Sequence, residues 1–270
     1  MTHLADVGAT LDGVPGQVSV WCGRLGAAPA LAREPDATHY AASTMKVAVL
    51  AALHRSGLDL DADVPVHNEF RSAHPDAPAF SCEPSYDSDT EVWARLGGTA
   101  SLRWLARRMI VVSGNLATNL CLEAVDRTAV ADIWRLVGAR HSVVGRGIED
   151  YAAAERGITN LVTAADLAAL LTAIASGTLP GHEEMLAVLL AQERGEDLAA
   201  GLPRGTRIAH KNGWVSGVRH GAAVVFPDDA PAYALVVCTT TELASGDTAD
   251  EACRLLARIA AASWADRHVL

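Results

Sequence analysis

Ser43 and Lys46 stand three residues apart in the run Ala41-Ala42-Ser43-Thr44-Met45-Lys46. On a helix, positions i and i+3 share a face, which places an amine beside a hydroxyl. A serine hydroxyl is a weak nucleophile until a base takes its proton. A desolvated lysine near a second cation can be that base, because both surroundings lower its pKa. A serine at a helix start also faces backbone N–H groups that favour developing negative charge. Ser113-Gly114-Asn115 is a second group, a short turn whose hydroxyl could relay a proton and whose amide could bind a substrate carbonyl. The third is His210-Lys211-Asn212-Gly213, at the end of an expected strand. An ammonium there could hold a substrate carboxylate and depress a neighbouring lysine's pKa, and the glycine lets a ligand approach the backbone.

Of the 22 basic residues, only Lys46 and Lys211 are lysines; every other one is arginine. Lysine can lose its proton in a protein and arginine effectively cannot, so the two lysines are either chance survivals or places where an ammonium is required. The net charge of -10 and the absence of any Lys/Arg-rich run argue against a nucleic-acid partner. No apolar stretch is long enough to cross a bilayer, since Val47 to Leu53 is short and flanked by Lys46 and His54. The 10 histidines show neither HExxH nor paired spacing, and no GxGxxG follows a strand, so neither a metal nor a cofactor is expected. Five cysteines with no CxxC pair read as buried free thiols in a reducing compartment. The first basic side chain is Arg24, so no positively charged segment precedes an apolar one. A cytoplasmic protein is expected, with secretion the alternative if a leader has been removed. The oligomeric state is left open.

These groups need elements to hold them. Strands are expected across the first forty residues, with Val18 to Cys22 the clearest. A helix runs from Ser43 to about His54 and ends at Gly57. Residues 58–97, with Pro65, Pro75, Pro78 and Pro84, read as loop-rich, with room for short helices. Ser101 caps a helix that carries Leu102, Leu105, Met109 and Ile110 on one face. Helices follow at Leu116 to Val125 and Ala129 to Val137, then a long loop over 141–160. Further helices cover Thr163 to Ser176 and Glu183 to Gln192. Strands return at Arg207 to Lys211, Val218 to Phe226 and Tyr233 to Thr240, with Pro227-Asp228-Asp229 as an antiparallel turn, before a last helix over 247–264. Strands at both ends and helices between them imply an α/β (α+β) fold. An antiparallel sheet from residues 1–56 and 204–270 would pack against an inserted helical subdomain, 57–203, with the active site in the cleft between them.

The three groups in this order resemble the S-x-x-K, S-D-N and K-T-G motifs of the class A β-lactamases and penicillin-binding proteins. The resemblance covers nearly the whole chain from about Val18. It extends to Ser113-Gly114-Asn115-Leu116-Ala117-Thr118-Asn119-Leu120, where Asn119 matches a family asparagine that steadies an Ω-shaped loop. That family carries a catalytic glutamate 36 residues after the middle-motif serine, a position held here by Glu149. The resemblance implies Ser43 as nucleophile and Lys46 as acylation base, with Glu149 acting through water as a rival. Ser113 and Lys211 would pass the proton to the leaving group, and Glu149 would activate the deacylating water. Asn115 and Asn212-Gly213 would border the substrate. The backbone N–H groups of Ser43 and Trp214 would form the oxyanion hole. The cation that binds the substrate carboxylate falls at Arg219 or His220, which face opposite ways on a strand, so only one can serve.

Departures from the family pattern are specific. Ala153 stands where the family has an asparagine that helps hold the deacylating water, and Glu149 is followed by Asp150 instead of proline. Asn212 replaces the threonine of the third motif, and Trp214 a small residue. The expected activity is hydrolysis of a small-molecule acyl substrate through an acyl-enzyme, with β-lactams first. An esterase or D-Ala-D-Ala-type peptidase, a glutaminase, and a module that binds β-lactams or peptides without turnover are the alternatives.

Overall fold

The computed structural model describes residues 3–243 and 250–270. Its centre is an antiparallel sheet in the order β2-β1-β10-β9-β8. These strands are β1 (Gly16–Arg24), β2 (Leu31–Arg33), β8 (Arg207–Val215), β9 (Val218–Phe226) and β10 (Tyr233–Thr241). The two ends of the chain meet where β1 pairs with β10, from Gly16 opposite Thr241 to Arg24 opposite Tyr233. The sheet is covered on both faces, and its inner strands are therefore almost wholly buried. Alternate residues serve opposite cores. Ala222, Val224, Val236 and Cys238 join the larger cluster, whereas Ala223, Val225, Leu235 and Val237 join the smaller one.

The smaller core is closed by α1 (Leu4–Asp12) and α9 (Glu251–Ala265). Helix α1 corrects the expectation of strands throughout the first forty residues. Its signal is Leu4, Val7 and Leu11, an apolar stripe at helical spacing that is buried in the fold. Residues 247–249 of the expected last helix lie outside the described residues.

The larger core holds α2 (Lys46–Arg55), α4 (Leu102–Val111), α5 (Asn115–Leu136), α7 (Ala164–Ala175) and α8 (His182–Leu190). Every residue of α2 from Lys46 to Leu53 is buried, so the helix is apolar on all sides because it has no solvent face. Truncating Leu50 to alanine there would cost about 2–5 kcal/mol. Helix α5 is broken at Asp126 (φ 61°), whose carboxylate accepts from the N–H groups of Thr128 and Ala129 and restarts the helix. That break separates the two helices expected from the sequence.

Short elements complete the frame. They are β3 (His39–Tyr40), β4 (Asp63–Pro65), α3 (Thr90–Trp93), β5 (Thr99–Ser101), β6 (Val143–Val144), α6 (Tyr151–Glu155) and β7 (Asn160–Val162). β3, β7 and β6 form a small sheet of their own. The segment 141–160 is thus not a bare loop, because β6, α6 and the start of β7 lie within it. The five cysteines are free and buried. Among the described residues, no helix is long and apolar enough to cross a membrane.

Candidate active site

Ser43 lies on a single 3-10 turn, Ala42–Met45, that runs directly into α2. The turn is pinned at its start, where the Ala41 N–H donates to the Asn160 carbonyl at 2.9 Å. Strand β8 passes against it. A Cβ placed on Gly213 would lie 2.7 Å from Ser43 N and 3.0 Å from Thr44 N, so only glycine permits this approach. β8 runs on to Val215, which puts Lys211, Asn212, Gly213 and Trp214 inside the strand and not beyond its end.

Both lysines are fully buried and converge on Ser113. Lys46 Nζ is 2.7 Å from the Ser113 carbonyl, 3.0 Å from Asn115 Oδ1 and 3.3 Å from Ser113 Oγ. Lys211 Nζ is 3.1 Å from the same Oγ, 2.8 Å from the Asn212 carbonyl and 3.3 Å from Asn212 Oδ1. Burial lowers the Lys46 pKa to about 8, against a smaller opposing pull from Asp87. Burial, and then the charge of Lys46, hold Lys211 well below its ordinary value. Ser113 has a left-handed backbone (φ 66°). The turn is held by Asp87, whose carboxylate accepts from the N–H groups of Asn115 and Leu116 at 2.9 Å each and so caps α5. Asn115 is oriented from both ends of its amide, with Oδ1 on Lys46 and Nδ2 donating to the Tyr86 carbonyl at 2.9 Å.

Glu149 sits on the loop between β6 and α6, also in the left-handed region (φ 68°). Asn119 ties this loop down, its Oδ1 accepting from Ile148 N–H at 2.8 Å and its Nδ2 donating to the Ile148 carbonyl at 2.9 Å. Asp150 caps α6 and accepts from Ser72 Oγ and Ala73 N–H, which anchors the loop on the other side. One oxygen of Glu149, Oε2, accepts from the Glu83 N–H at 2.9 Å. The other, Oε1, is buried with no hydrogen-bond partner among the described residues. Burial raises the Glu149 pKa above the usual carboxylate value. Ala153 is buried beneath the Asp150 cap and offers no polar group.

Ser43, Ser113, Asn115, Glu149 and Trp214 line one cavity of about 540 Å³. Two buried amines, an intervening hydroxyl, a second serine and a carboxylate with a spare oxygen can support acyl transfer.

Neither cation expected for the substrate carboxylate lines this cavity. Arg219 is fully buried and pairs with Glu196 at 2.9 Å and Asp197 at 3.5 Å. His220 accepts from the Thr239 N–H at Nδ1 (3.0 Å), which places its proton on Nε2, where it donates to the Tyr40 carbonyl (2.8 Å). Burial lowers its pKa to about 4, so it is a neutral brace between β9, β10 and β3. Asn212 likewise turns its Oδ1 to Lys211 inside the protein and is fully buried. Gly213 serves through its backbone alone.

Two other arginines do line the cavity, Arg146 and Arg194, the latter placed over the Trp214 ring at 5.4 Å. Sequence reasoning missed Arg194 because it lies in the irregular stretch before β8, far from any motif. Tyr40, Tyr86, Arg146 and Tyr151 are further lining residues without a sequence signal.

A family model described as the Beta-lactamase enzyme family matches residues 3–264. No curated protein sequence matches significantly. Among solved structures, PBP-A superposes with a TM-score of 0.78 at 19% identity, covering 97% of this chain and 94% of that one. A β-lactamase from Sphaerobacter thermophilus gives 0.77 at 22% identity, with 96% and 95% covered. An ancestral class A β-lactamase gives 0.77 at 21% identity, with 95% and 98% covered. At these identities the structural likeness establishes the fold, and the family match over nearly the whole length establishes membership. The protein belongs to the Beta-lactamase enzyme family and is a serine hydrolase.

Proposed function

We propose that the protein hydrolyses β-lactams through an acyl-enzyme on Ser43. In acylation, Ser43 Oγ bonds to the lactam carbonyl carbon and its proton passes to neutral Lys46. Ser113, between the two amines, delivers a proton to the ring nitrogen as the C–N bond breaks. Negative charge on the carbonyl oxygen develops beside the Ser43 N–H and the adjoining β8 backbone at Trp214, where each well-placed donor is worth about 3 kcal/mol. In deacylation, a water gives its proton to Glu149 and attacks the ester carbon. The bond to Ser43 Oγ then breaks and that oxygen regains a proton. Arg194, over the Trp214 ring, takes the carboxylate of the substrate.

The observation that carries this reading is the approach of both buried lysines to Ser113 Oγ beside the cavity lined by Ser43, Ser113 and Glu149, with one Glu149 oxygen unpartnered among the described residues. A solved neighbour, a mutant of PBP-A, is described as an acyl-enzyme complex with penicillin G, with a TM-score of 0.77. A second reading has one observation in its favour. Ala153 supplies no side-chain donor to hold a water against Glu149, which suits an acyl-enzyme that persists.

The test is intact-protein mass followed over time with a penicillin, alongside loss of the lactam ring. Catalytic ring loss with a transient adduct on Ser43 supports hydrolysis. A lasting adduct supports the second reading, and no adduct with no ring loss overturns both.

A further inference from the structure

Two arginines are buried among the described residues, Arg219 and Arg146. Arg219 has Glu196 and Asp197 as counter-ions. Arg146 has none. Its guanidinium donates to two neutral acceptors, the Gly147 carbonyl at 3.2 Å and the Tyr40 hydroxyl at 3.1 Å, and lies over the Tyr40 ring at 5.6 Å. Its Nε–H is buried without a partner among the described residues. A guanidinium carries five N–H donors, so its hydrogen-bonding capacity is mostly unused. The side chain is only 7% exposed, yet it lines the cavity that contains Ser43.

Arg146 is not a loose surface residue in this position by accident of packing. Asn160 Oδ1 accepts from its backbone N–H at 3.0 Å and from that of Gly145 at 2.9 Å, which fixes the loop to β7. Buried charges in proteins are paired, or they face a ligand that pairs with them. Arg146 belongs to the loop wall of the cavity, with Ile148, Glu149 and Tyr151. Arg194 and Trp214 belong to the wall beside β8. With one carboxylate at Arg194 and the reacting carbonyl at Ser43, the rest of the substrate is bounded by the loop wall.

We propose that Arg146, oriented by Tyr40, is a second anion-recognition point that selects substrates whose acyl side chain bears its own carboxylate. The preferred substrates are then dianions, held at Arg194 at one end and Arg146 at the other. The placement of the acyl side chain rests on the reading under Proposed function, but the anion site itself does not.

The experiment has two arms. Phenylmalonate and phenylacetate share one body and differ by one carboxylate. Their binding to the wild-type protein, Arg146→Gln, Arg146→Lys and Tyr40→Phe is measured by calorimetry. The wild type should prefer phenylmalonate by about tenfold. Arg146→Gln should abolish the preference, Tyr40→Phe weaken it, and Arg146→Lys retain part of it. Carbenicillin and benzylpenicillin form the matching substrate pair. The carbenicillin to benzylpenicillin ratio of kcat/KM should fall about tenfold in Arg146→Gln, mainly through KM, with benzylpenicillin little changed. Equal binding of the two acids by the wild type overturns the proposal, as does an equal loss of both penicillins in Arg146→Gln and Tyr40→Phe alike. If the wild type turns over neither penicillin, the hydrolase reading fails and the binding arm alone decides the anion site.

Discussion

Lys46 and Lys211 direct their amines at one atom, Ser113 Oγ, from 3.3 and 3.1 Å. A hydroxyl has one proton and two acceptor lone pairs. Two ammonium groups would occupy both lone pairs and leave the proton nothing to do between them. With Lys46 neutral, its two N–H bonds meet the Ser113 carbonyl and Asn115 Oδ1, and its lone pair faces the hydroxyl. Lys211 then keeps three donors for Ser113 Oγ and the two Asn212 oxygens. Burial lowers both pKa values, and the charge of Lys46 lowers that of Lys211 further, so the two amines titrate as a pair.

The first prediction is the pH dependence of acylation. With its pKa near 8, Lys46 gains basicity as pH rises through that value. The single-turnover acylation rate should therefore climb to a plateau above about pH 8, and Lys46→Met should remove acylation. Rapid-mixing mass spectrometry from pH 5 to 10 measures both. A rate that is already flat from pH 6 upward would assign the acylation base to Glu149.

Deacylation should depend on Glu149 alone. Glu149→Gln should leave acylation within a few fold and slow release of the acyl group by about 10²–10⁴. The acyl-enzyme would then be the main species in the mass spectrum. Because burial raises the Glu149 pKa, wild-type release should begin to fail at a pH above the ordinary carboxylate value as the solution is acidified. Fast release by the glutamine variant would mean that another group activates the water.

What the sequence revealed followed local chemistry. Ser43, Lys46, Ser113 and Lys211 were legible because a catalytic hydroxyl and a titratable amine must be those residue types. The break at Asp126 was legible because Asp126-Arg127-Thr128 interrupts two apolar runs. Contacts between segments far apart in the chain were not. Arg219 and His220 share the strand neighbouring Lys211, and no spacing rule tells that Glu196, Asp197 and the Tyr40 carbonyl claim their side chains first. Arg194 reaches the cavity only because β8 presents Trp214 beneath it. Likewise the Glu83 N–H that holds Glu149 comes from a stretch with no periodicity to read.

Gly213 offers a test of the geometry between β8 and the nucleophile. In Gly213→Ala the new methyl would lie 2.7 Å from Ser43 N, a backbone atom that cannot swing aside. Either β8 or the Ser43 turn must move. The expected result is a loss of about 1–3 kcal/mol in stability and a fall in acylation rate of about a hundredfold, because a displacement of about 1 Å at the reacting centre costs that much. Urea titration and single-turnover kinetics report the two effects separately. Unchanged values for both would show that the strand does not press on the turn.

Arg194 should govern binding more than chemistry. Its guanidinium lines the cavity over the Trp214 ring, and in the proposed role it would contact the substrate carboxylate in ground and transition states alike. Arg194→Ala should raise KM for benzylpenicillin about tenfold or more with kcat little changed. Substrate esters that lack the carboxylate should show no such difference between the two proteins. An equal penalty for ester and acid would remove Arg194 from this role.

The last prediction concerns acid. His39, His210 and His220 are buried, and burial lowers each pKa from 6.5 to about 4. Between those values the unfolded chain binds three protons that the folded protein refuses. The histidine contribution is therefore complete above about pH 6.5 and is lost as pH falls toward 4. Asp197 works against this, since burial raises its pKa to about 6 and the native state takes up a proton in the same window. Glu149 acts in the same sense as Asp197. The net slope is between one and two protons, which gives a loss of about 3–7 kcal/mol from pH 6.5 to 4. Asp229, held down to about 2 mainly by its bond to Arg267, enters only below this window. Urea unfolding midpoints at pH 7.0, 5.5 and 4.5 measure the slope. His220→Gln keeps a donor for the Tyr40 carbonyl and should lower the slope by about one proton. A slope that the substitution leaves unchanged would show that His220 is already protonated in the native brace.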